Sequence, residues 1–393
     1  MITLRCPRCQ STNLVKIGHL IYCRNCISFG QIRPSTRPPQ WRYEFQEKEV
    51  YYDLSYDLSR RQKEIASEII QAIKDKKHVL VQAVCGSGKT EIVYPCICYA
   101  LNQSLHVGFA CPRKDLAIEL YDRLSNQLKG VEMALVYGGH HDDLYQPLVI
   151  LTTHQLYRYW NYFDVLIIDE IDAFPFYGNL SLYKMAVASN KGCFILMSAT
   201  SFESAPPKGF VKLTLDRRYH NQDLPMPKLV WLPNVFSYFY ICRLIKFYSS
   251  KKIPMIIFVP EKKDFKIWSK LLRVLNIGYG IVHSTSQFNT KTLEAFRQKE
   301  FLVLLSTTLM ERGVTFENVQ VVVFKAHHVI FNRSTLIQIA GRVGRKPNFP
   351  NGDVIFVGKY ISKEMIKCRK YIISKNAPYA TKKPMGYFNT KKR

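Results

Sequence analysis

The chain has 393 residues, a hydrophobic content of 47% and a formal net charge of +26 at pH 7. This hydrophobic content is that of a globular protein and excludes a disordered chain, and no apolar run reaches the roughly 18 residues that cross a bilayer. The charge excess indicates a polyanionic partner, either nucleic acid or an anionic membrane surface, and the alternative is a soluble protein that is merely basic.

Residues 1–40 form a cysteine-rich unit. Cys6-x-x-Cys9 and Cys23-x-x-Cys26 are separated by thirteen residues, which is close to the spacing of a tetrahedral structural Zn²⁺ site. Because so small a unit cannot bury a sizeable core, a metal would hold it together. The alternatives are unliganded or redox-active thiols. No signal-peptide core is present at the N-terminus, which favours reduced thiols over disulfides.

A Pro-rich joint and a linker over residues 41–58 lead to a region that alternates helix and strand, over residues 59–222. Residues 60–74 have helical spacing, and the apolar run 78–81 predicts a buried strand. Further buried parallel strands are predicted at four apolar runs: 107–110, 148–151, 165–168 and 194–197.

A second series of the same kind follows a Pro-containing stretch and spans residues 223–393, including a basic tail. Its strands are predicted at five apolar runs: 255–259, 280–282, 302–305, 319–324 and 353–357. The sequence therefore predicts an α/β protein with two tandem parallel-sheet lobes, preceded by a small zinc-binding unit.

One segment after the strand at 78–81 reads AVCGSGKT and matches a phosphate-binding loop, with alanine in place of the first glycine. Backbone N–H groups of Gly86, Ser87 and Gly88 are expected to hold the β-phosphate at a helix N-terminus. Lys89 is expected to neutralise the β- and γ-phosphates, and the hydroxyl of Thr90 to ligate Mg²⁺.

An acidic pair ends the apolar run 165–168. Asp169 is expected to hold Mg²⁺, directly or through water, and Glu170 to polarise the attacking water. The alternative for such a pair is an ordinary exposed turn.

A glycine-spaced arginine pair, Arg342 and Arg345, lies in the second region within the segment QIAGRVGR. Such a pair is what a second lobe brings to the phosphates of a nucleotide that the first lobe holds. The alternative is that these arginines are phosphate-binding or solvated helix residues. Together with the loop and the acidic pair, they predict a motor that nucleotide hydrolysis drives.

Several motifs resemble those of superfamily 2 helicases: DEID at 169–172, SAT at 198–200, the segment 307–315 and the segment 338–345. This resemblance implies RecA-like lobes, arginine fingers at Arg342 and Arg345, and an adenine-reading glutamine at Gln62. It further implies a track for the backbone of one nucleic-acid strand, which is a larger set of side chains: Arg113, Thr153, His154, Thr307 and Thr308. Each track residue has an alternative as a helix cap or surface group.

Tyrosines and a tryptophan follow His154, at Tyr157, Tyr159, Trp160 and Tyr162. They could stack on bases, or they could pack the interior of the lobe.

The four-cysteine unit, AVCGSGKT, TTHQL at 152–156, DEIDAFP at 169–175 and ERGVT at 311–315 together resemble the ComFA family of late competence proteins. The resemblance covers almost the whole chain. It implies a cytoplasmic ATPase of DNA uptake that uses ATP, Mg²⁺ and Zn²⁺ and acts on single-stranded DNA. It also implies action at the inner face of the cell membrane, beside competence proteins of the uptake channel, through partners or surface charge. Oligomerisation is left open.

The sequence thus predicts an ATP-dependent single-stranded-DNA translocase that drives DNA uptake. Because no accessory lobe or wedge is evident, we expect translocation rather than robust duplex unwinding. One alternative is a primosomal replication-restart helicase, although the cysteines of that class interrupt the second lobe. The other alternative is a DNA-binding scaffold that ATP switches without useful turnover.

Overall fold

The computed structural model describes residues 5–6, 8–9, 11–29, 49–140, 144–172, 175–176, 178–199, 209–283, 289–307, 316–346 and 348–380. Within them the chain forms two compact units. The first contains the residues up to Ala83 and those from Gly88 to Leu215, and the second contains Val84–Ser87 and the residues from Asp216 onward. Residues 41–48 of the predicted linker and residues 381–393 of the basic tail lie outside the described residues.

The cysteine-rich unit is a hairpin followed by a helical turn. Strands β1 (Leu14–Ile17) and β2 (Leu20–Cys23) pair antiparallel, and Gly18 adopts a φ of +61° in the turn between them. A 3₁₀ segment, Arg24–Phe29, follows at once. The end of β2 and this segment therefore place Cys23 and Cys26 close together in space.

Helix α1 (Arg60–Lys74) begins at a capping box. Ser59 accepts a hydrogen bond from the N–H of Gln62, and the Gln62 side chain accepts one from the N–H of Ser59. This reciprocal pair satisfies two donors at the helix start. The apolar face that the sequence predicts is buried, with Ile65, Ile69 and Ile73 in the core of the first unit.

The first unit contains a seven-stranded sheet in the order β11-β4-β10-β9-β5-β8-β7, in which each pair of neighbouring strands is parallel. Its strands are β4 (His78–Ala83), β5 (Val107–Cys111), β7 (Met133–Val136), β8 (Leu148–Thr152), β9 (Phe163–Ile168), β10 (Asn190–Ser198) and β11 (Phe210–Leu215). Its further helices are α2 (Tyr94–Asn102), α3 (Lys114–Gln127) and α4 (Leu180–Ser189). A short antiparallel pair, β3 (Tyr51–Tyr52) with β6 (Leu128–Lys129), lies apart from this sheet.

The second unit contains a six-stranded parallel sheet in the order β12-β17-β16-β13-β15-β14. Its strands are β12 (Lys228–Trp231), β13 (Met255–Phe258), β14 (Tyr279–Val282), β15 (Val303–Ser306), β16 (Gln320–Phe324) and β17 (Val354–Gly358). Its helices are α5 (Asn234–Ser250), α6 (Lys262–Val274), α7 (Asn289–Arg297), α8 (Arg333–Ala340) and α9 (Lys363–Ala380). All strands predicted from apolar runs are present, and the prediction of two α/β lobes behind a cysteine-rich unit is confirmed.

The segment after β11 joins the second unit through α9. Asp216 forms an ion pair with Lys375 at 2.5 Å. Leu224 both donates to and accepts from the side-chain amide of Asn376 at 2.9 Å. These contacts fix the stretch between Asp216 and Leu224 on the body of the second unit.

Among the described residues, none of the helices combines the length and apolar character needed to cross a membrane.

Candidate functional site

The phosphate-binding loop follows β4 and depends on two glycines. Gly86 and Gly88 adopt φ values of +77° and +74°, which side chains other than glycine rarely accept. A Cβ atom at Gly88 would also lie 2.3 Å from Nε2 of Gln62. The helix expected directly after Thr90 begins instead with a 3₁₀ turn, Glu91–Val93, and becomes α2 only at Tyr94.

Lys89 and Asp169 form an ion pair in the first unit. Lys89 Nζ lies 2.5 Å from Asp169 Oδ1, and each side chain is only 17% exposed. Burial opposes the charge on Lys89, but the carboxylates of Asp169 and Glu170 outweigh burial and raise the pKa of Lys89. The two motifs that the sequence places eighty residues apart therefore meet as one charged group at the carboxyl ends of β4 and β9.

The backbone at Glu170 is held in an uncommon conformation. Its φ is +53°, its N–H donates to Asp169 Oδ1 at 2.8 Å, and its side chain is buried. The next N–H, of Ile171, donates to the carbonyl of Met197 at the end of β10. Asp169 donates its own N–H to the carbonyl of Ala110 in β5. Neighbouring strands thus fix the backbone that carries both acidic side chains.

Gln62 lies beside the loop in the first unit. Its Nε2 donates to the carbonyl of Gly88 at 3.2 Å, while its Oε1 accepts from the N–H of Ser59. The side chain is buried. The residue predicted to read adenine therefore joins the start of α1 to the phosphate-binding loop.

Arg342 and Arg345 lie on the turn that follows α8 in the second unit. Arg342 is 2% exposed, and the Nε of Arg345 donates to the carbonyl of Gly341 at 3.1 Å. Gly344 supports the turn with a φ of +69°. A tight turn rather than a continuing helix therefore presents the arginine pair.

The predicted nucleic-acid track is described in part. Arg113 is the half-buried N-cap residue of α3, and His154 is half-buried, with a pKa that burial lowers. Thr153 is fully buried. Thr307 follows β15 and is half-buried. Thr308, residues 309–315 and Thr200 lie outside the described residues.

Two tyrosines after His154 pack inside the lobe. Tyr159 and Tyr162 are buried, and their hydroxyls donate to the carbonyls of Leu144 (2.9 Å) and Gln146 (3.0 Å). For these two residues the packing interpretation is confirmed. Tyr157 is half-buried and lies under the guanidinium of Arg8, 5.3 Å from the ring centroid.

The four cysteine sulfurs of the N-terminal unit all lie within 4.8 Å of one another. The Sγ atoms of Cys6 and Cys26, and those of Cys9 and Cys23, are 3.6 Å apart. These distances exceed a disulfide bond of about 2.0 Å and approach the sulfur–sulfur distance of about 3.8 Å in a tetrahedral zinc site with Zn–S bonds of about 2.3 Å. The cluster thus fits a structural Zn²⁺ ion.

Sequence reasoning missed one group of residues in the second unit. Arg218, Tyr219 and His220 follow β11, and each forms a hydrogen bond with a main-chain carbonyl of the turn that carries Arg342 and Arg345. The only sequence signal is a run of basic and aromatic residues after the last strand of the first sheet, and that signal is too common to be specific.

Comparisons with known proteins agree with this geometry. Residues 63–206 match the DEAD/DEAH box helicase family, and residues 238–347 match the helicase conserved C-terminal domain. The fold is similar to that of S. cerevisiae Dbp5 bound to RNA and ADP BeF3, with a TM-score of 0.62, 16% identity and coverage of 81% of this chain and 88% of that one.

Two relatives match nearly the whole chain. Competence protein ComFA of Bacillus subtilis (strain 168) is 33% identical, over 95% of this chain and 85% of its own length. Competence protein ComFA of Streptococcus pneumoniae (strain ATCC BAA-255 / R6) is 36% identical, over 94% and 89%. The chain is therefore an ATP-hydrolysing enzyme of helicase superfamily 2 and belongs to the ComFA family.

Proposed function

We propose that this protein is an ATP-driven motor that moves along single-stranded DNA and draws it into the cell during natural transformation. The observation that carries the proposal is the buried group of Lys89, Asp169 and Glu170, placed by β4 and β9 next to a glycine loop. Such a group is suited to hold and cleave a nucleoside triphosphate.

Lys89 is the residue that binds the phosphates in this proposal. Its charge is retained despite burial because two carboxylates face it. The triphosphate would compete with Asp169 for Lys89, so binding of the nucleotide would release the carboxylate of Asp169. The donor set of Asp169 and the hydroxyl of Thr90 consists of oxygen ligands, which suit Mg²⁺. When bound, this ion would neutralise charge on the phosphates.

Glu170 would orient and polarise the attacking water. Its backbone is held by hydrogen bonds of its own N–H and of the next one, so the residue would be preorganised for this role. Gln62 would read the adenine base beside the loop. Arg342 and Arg345 would stabilise the charge that develops on the phosphates during transfer, as arginine fingers do in related enzymes.

The nucleic-acid partner is inferred from charge and from the track residues. A net charge of +26 favours binding to a polyanion. Arg113, His154, Thr307 and Thr308 would contact the strand backbone, and such contacts carry little sequence information. Thr153 is fully buried and is not proposed as a contact. Zn²⁺ at Cys6, Cys9, Cys23 and Cys26 would hold the N-terminal unit together.

The role in competence rests on the relatives, both of which are named competence proteins. Protein partners at a DNA-uptake channel, and attachment to the inner face of the membrane through those partners, are part of this proposal.

The test is steady-state ATP hydrolysis with single-stranded DNA, with duplex DNA and without DNA. We expect the largest stimulation with single-stranded DNA and loss of turnover in Lys89→Ala and Glu170→Gln, with nucleotide binding retained in Glu170→Gln. Glu68→Gln, which changes an exposed glutamate on α1 in the same way, is the matched control and should keep the wild-type rate.

Each alternative has its own outcome in that experiment. If the wild type did not hydrolyse ATP, the result would support a DNA-binding scaffold that uses ATP binding as a switch. Turnover with efficient unwinding of a forked duplex would support a replication-restart helicase. A high rate that is indifferent to nucleic acid would contradict the motor.

A further inference from the structure

Three consecutive side chains in the second unit bind one turn of the main chain. Arg218 donates three hydrogen bonds from its terminal nitrogens, all to carbonyls of this turn: those of Gly344 (2.6 Å), Val343 (2.8 Å) and Gly341 (3.3 Å). Tyr219 donates its hydroxyl to the carbonyl of Arg345 at 3.0 Å. His220 places Nε2 3.0 Å from the carbonyl of Gly344.

The turn that they bind is the one that carries the arginine pair. It begins at Gly341, the residue that caps the C-terminus of α8, so its carbonyls lie beyond the helical hydrogen bonds and need partners from elsewhere. The carbonyl of Gly341 accepts from both Arg218 and Arg345. Arg218 therefore binds a main-chain oxygen that also accepts a hydrogen bond from the side chain of Arg345.

The charge of Arg218 is unusual for a purely structural residue. The side chain is 1% exposed, and it has no carboxylate partner among the residues that the structure describes. Burial, with a smaller contribution from Arg345, lowers its pKa to about 10, so it stays charged at neutral pH. A buried cation without an anion is a poor way to stabilise a fold, whereas a planar guanidinium with several fixed donors is well suited to holding a set of carbonyls in place.

The same segment also contacts the part of the phosphate-binding loop that belongs to the second unit. The N–H of Tyr219 donates to the carbonyl of Gly86 at 3.3 Å. The side chain of Arg218 also lies beside Gly86, since a Cβ atom added to this glycine would be 3.7 Å from Nε of Arg218. This Nε has no hydrogen-bond partner among the described residues. The main-chain contacts of Arg218 and Tyr219 thus extend from the arginine-bearing turn to the loop.

We propose that Arg218, assisted by Tyr219 and His220, is a positioning residue that holds the turn 341–345 in the geometry from which Arg342 and Arg345 act on the nucleotide. It does not touch the reacting atoms and acts through the turn. This inference rests on the proposed function, because it assumes that the arginine pair acts in phosphoryl transfer.

The test compares kcat, KM and nucleotide affinity for DNA-stimulated ATP hydrolysis in Arg218→Met and Arg218→Lys. Methionine keeps the aliphatic part of the side chain but removes the hydrogen-bond donors. Lysine restores the positive charge without the planar guanidinium group. We expect Arg218→Met to lower kcat on the order of 10²-fold, the scale of a small misplacement of catalytic groups, with little change in nucleotide affinity. Arg218→Lys should recover only part of the rate.

A double variant separates positioning from general support of the fold. If Arg218 acts through the turn, then Arg218→Met should reduce kcat only slightly further in an Arg345→Ala background, because residues that act as a unit are non-additive. If the double variant instead lost kcat by the product of the two single-variant factors, the inference would be overturned. If Arg345→Ala alone kept its kcat, the arginine-finger assignment in the proposed function would fail instead, so the two failures are distinguishable.

Two further variants keep the proposal testable even if Arg218→Met does not fold. Tyr219→Phe removes one hydroxyl from a side chain that is 43% exposed, and it should fold and lower kcat severalfold. Arg217→Met changes the neighbouring arginine, which donates to the carbonyl of Asn221 within its own turn, and it should keep the wild-type kcat. Wild-type kcat in both Tyr219→Phe and Arg218→Lys would overturn the inference even if Arg218→Met failed to fold.

Discussion

Glu170 combines a buried carboxyl with a left-handed backbone conformation, at a φ of +53°. A residue other than glycine costs roughly 1–3 kcal/mol in such a conformation, and it persists only where its surroundings fix it. Here the Asp169 carboxylate and the Met197 carbonyl hold the two successive N–H groups. Strain of this kind collects at functional sites, and it independently supports the role proposed for Glu170.

Asp164 illustrates the electrostatics at the opposite end of β9. Its carboxylate accepts from the N–H of His106 at 3.0 Å and lies 3.3 Å from Nζ of Lys191. Burial raises the pKa of Asp164, but the contacts with His106 and then Lys191 outweigh burial and lower it. Because the folded-state pKa lies below the unfolded value of about 3.9, the ionised group stabilises the fold above that value. This contribution is lost as the pH falls through the folded-state pKa.

Asp164→Asn should therefore destabilise the protein by about 1 kcal/mol near neutral pH, and the difference from wild type should shrink below about pH 4. The measurement is the urea midpoint of unfolding between pH 3 and pH 7. Asp122→Asn, at an exposed position of α3, serves as the control and should follow the wild type. A difference in stability that stayed constant over the whole pH range would contradict the linkage to Asp164.

Which residues could be predicted from the sequence depends on how their contacts arise. Lys89 and Asp169 belong to short motifs whose chemistry requires fixed residue types after buried strands, so their meeting could be predicted. Arg218 contacts carbonyls more than a hundred residues away. Because any residue type offers a carbonyl, no pattern of side chains in the sequence marks the partner of Arg218.

At the scale of elements, the strands that could not be predicted lie at the edges of the sheets. β7 and β11 are the two edges of the first sheet, and β12 is one edge of the second. A central parallel strand is covered on both faces and reads as a continuous apolar run. β11 instead reads FVKLTL and has exposed residues, and β12 begins with an exposed lysine. Because these edge strands are partly exposed, polar residues interrupt the continuous apolar runs from which strands are predicted.

The N-terminal hairpin depends on its cysteines in a way that neither lobe does. Its strands β1 and β2 have only four residues each, and of these eight residues Cys23 alone is buried. The cysteines at its centre are buried. A small unit of this kind needs a metal to fold stably, whereas each lobe has an apolar core of its own.

We therefore expect one Zn²⁺ per chain by elemental analysis, and loss of both metal and N-terminal structure in Cys6→Ser. Limited proteolysis should then cleave within residues 5–29, while the two lobes stay resistant. Cys242→Ser, which alters a cysteine outside the cluster, is the matched control and should retain zinc. If protein that was prepared without chelators contained no metal, this prediction would be wrong.

At the scale of the whole molecule, the excess of positive charge bears on how the proposed DNA binding would respond to salt. The chain carries 56 Lys and Arg against 30 Asp and Glu. Binding that is driven by phosphate contacts releases condensed counterions, so the logarithm of the binding constant falls linearly with the logarithm of the salt concentration. For single strands the slope is about −0.7 for each phosphate neutralised.

We expect a steep slope for binding to single-stranded DNA and little preference among sequences, since phosphate contacts carry no sequence information. Arg113→Gln should make the slope shallower by about 0.7, because it removes one of the proposed phosphate contacts. Arg60→Gln removes the same charge from an exposed site on α1 that is paired with Glu64, so it should leave the slope nearly unchanged. Fluorescence anisotropy with labelled oligonucleotides over a range of salt concentrations measures both effects. An affinity independent of salt, or equal changes in the two variants, would show that the proposed track is not where the strand lies.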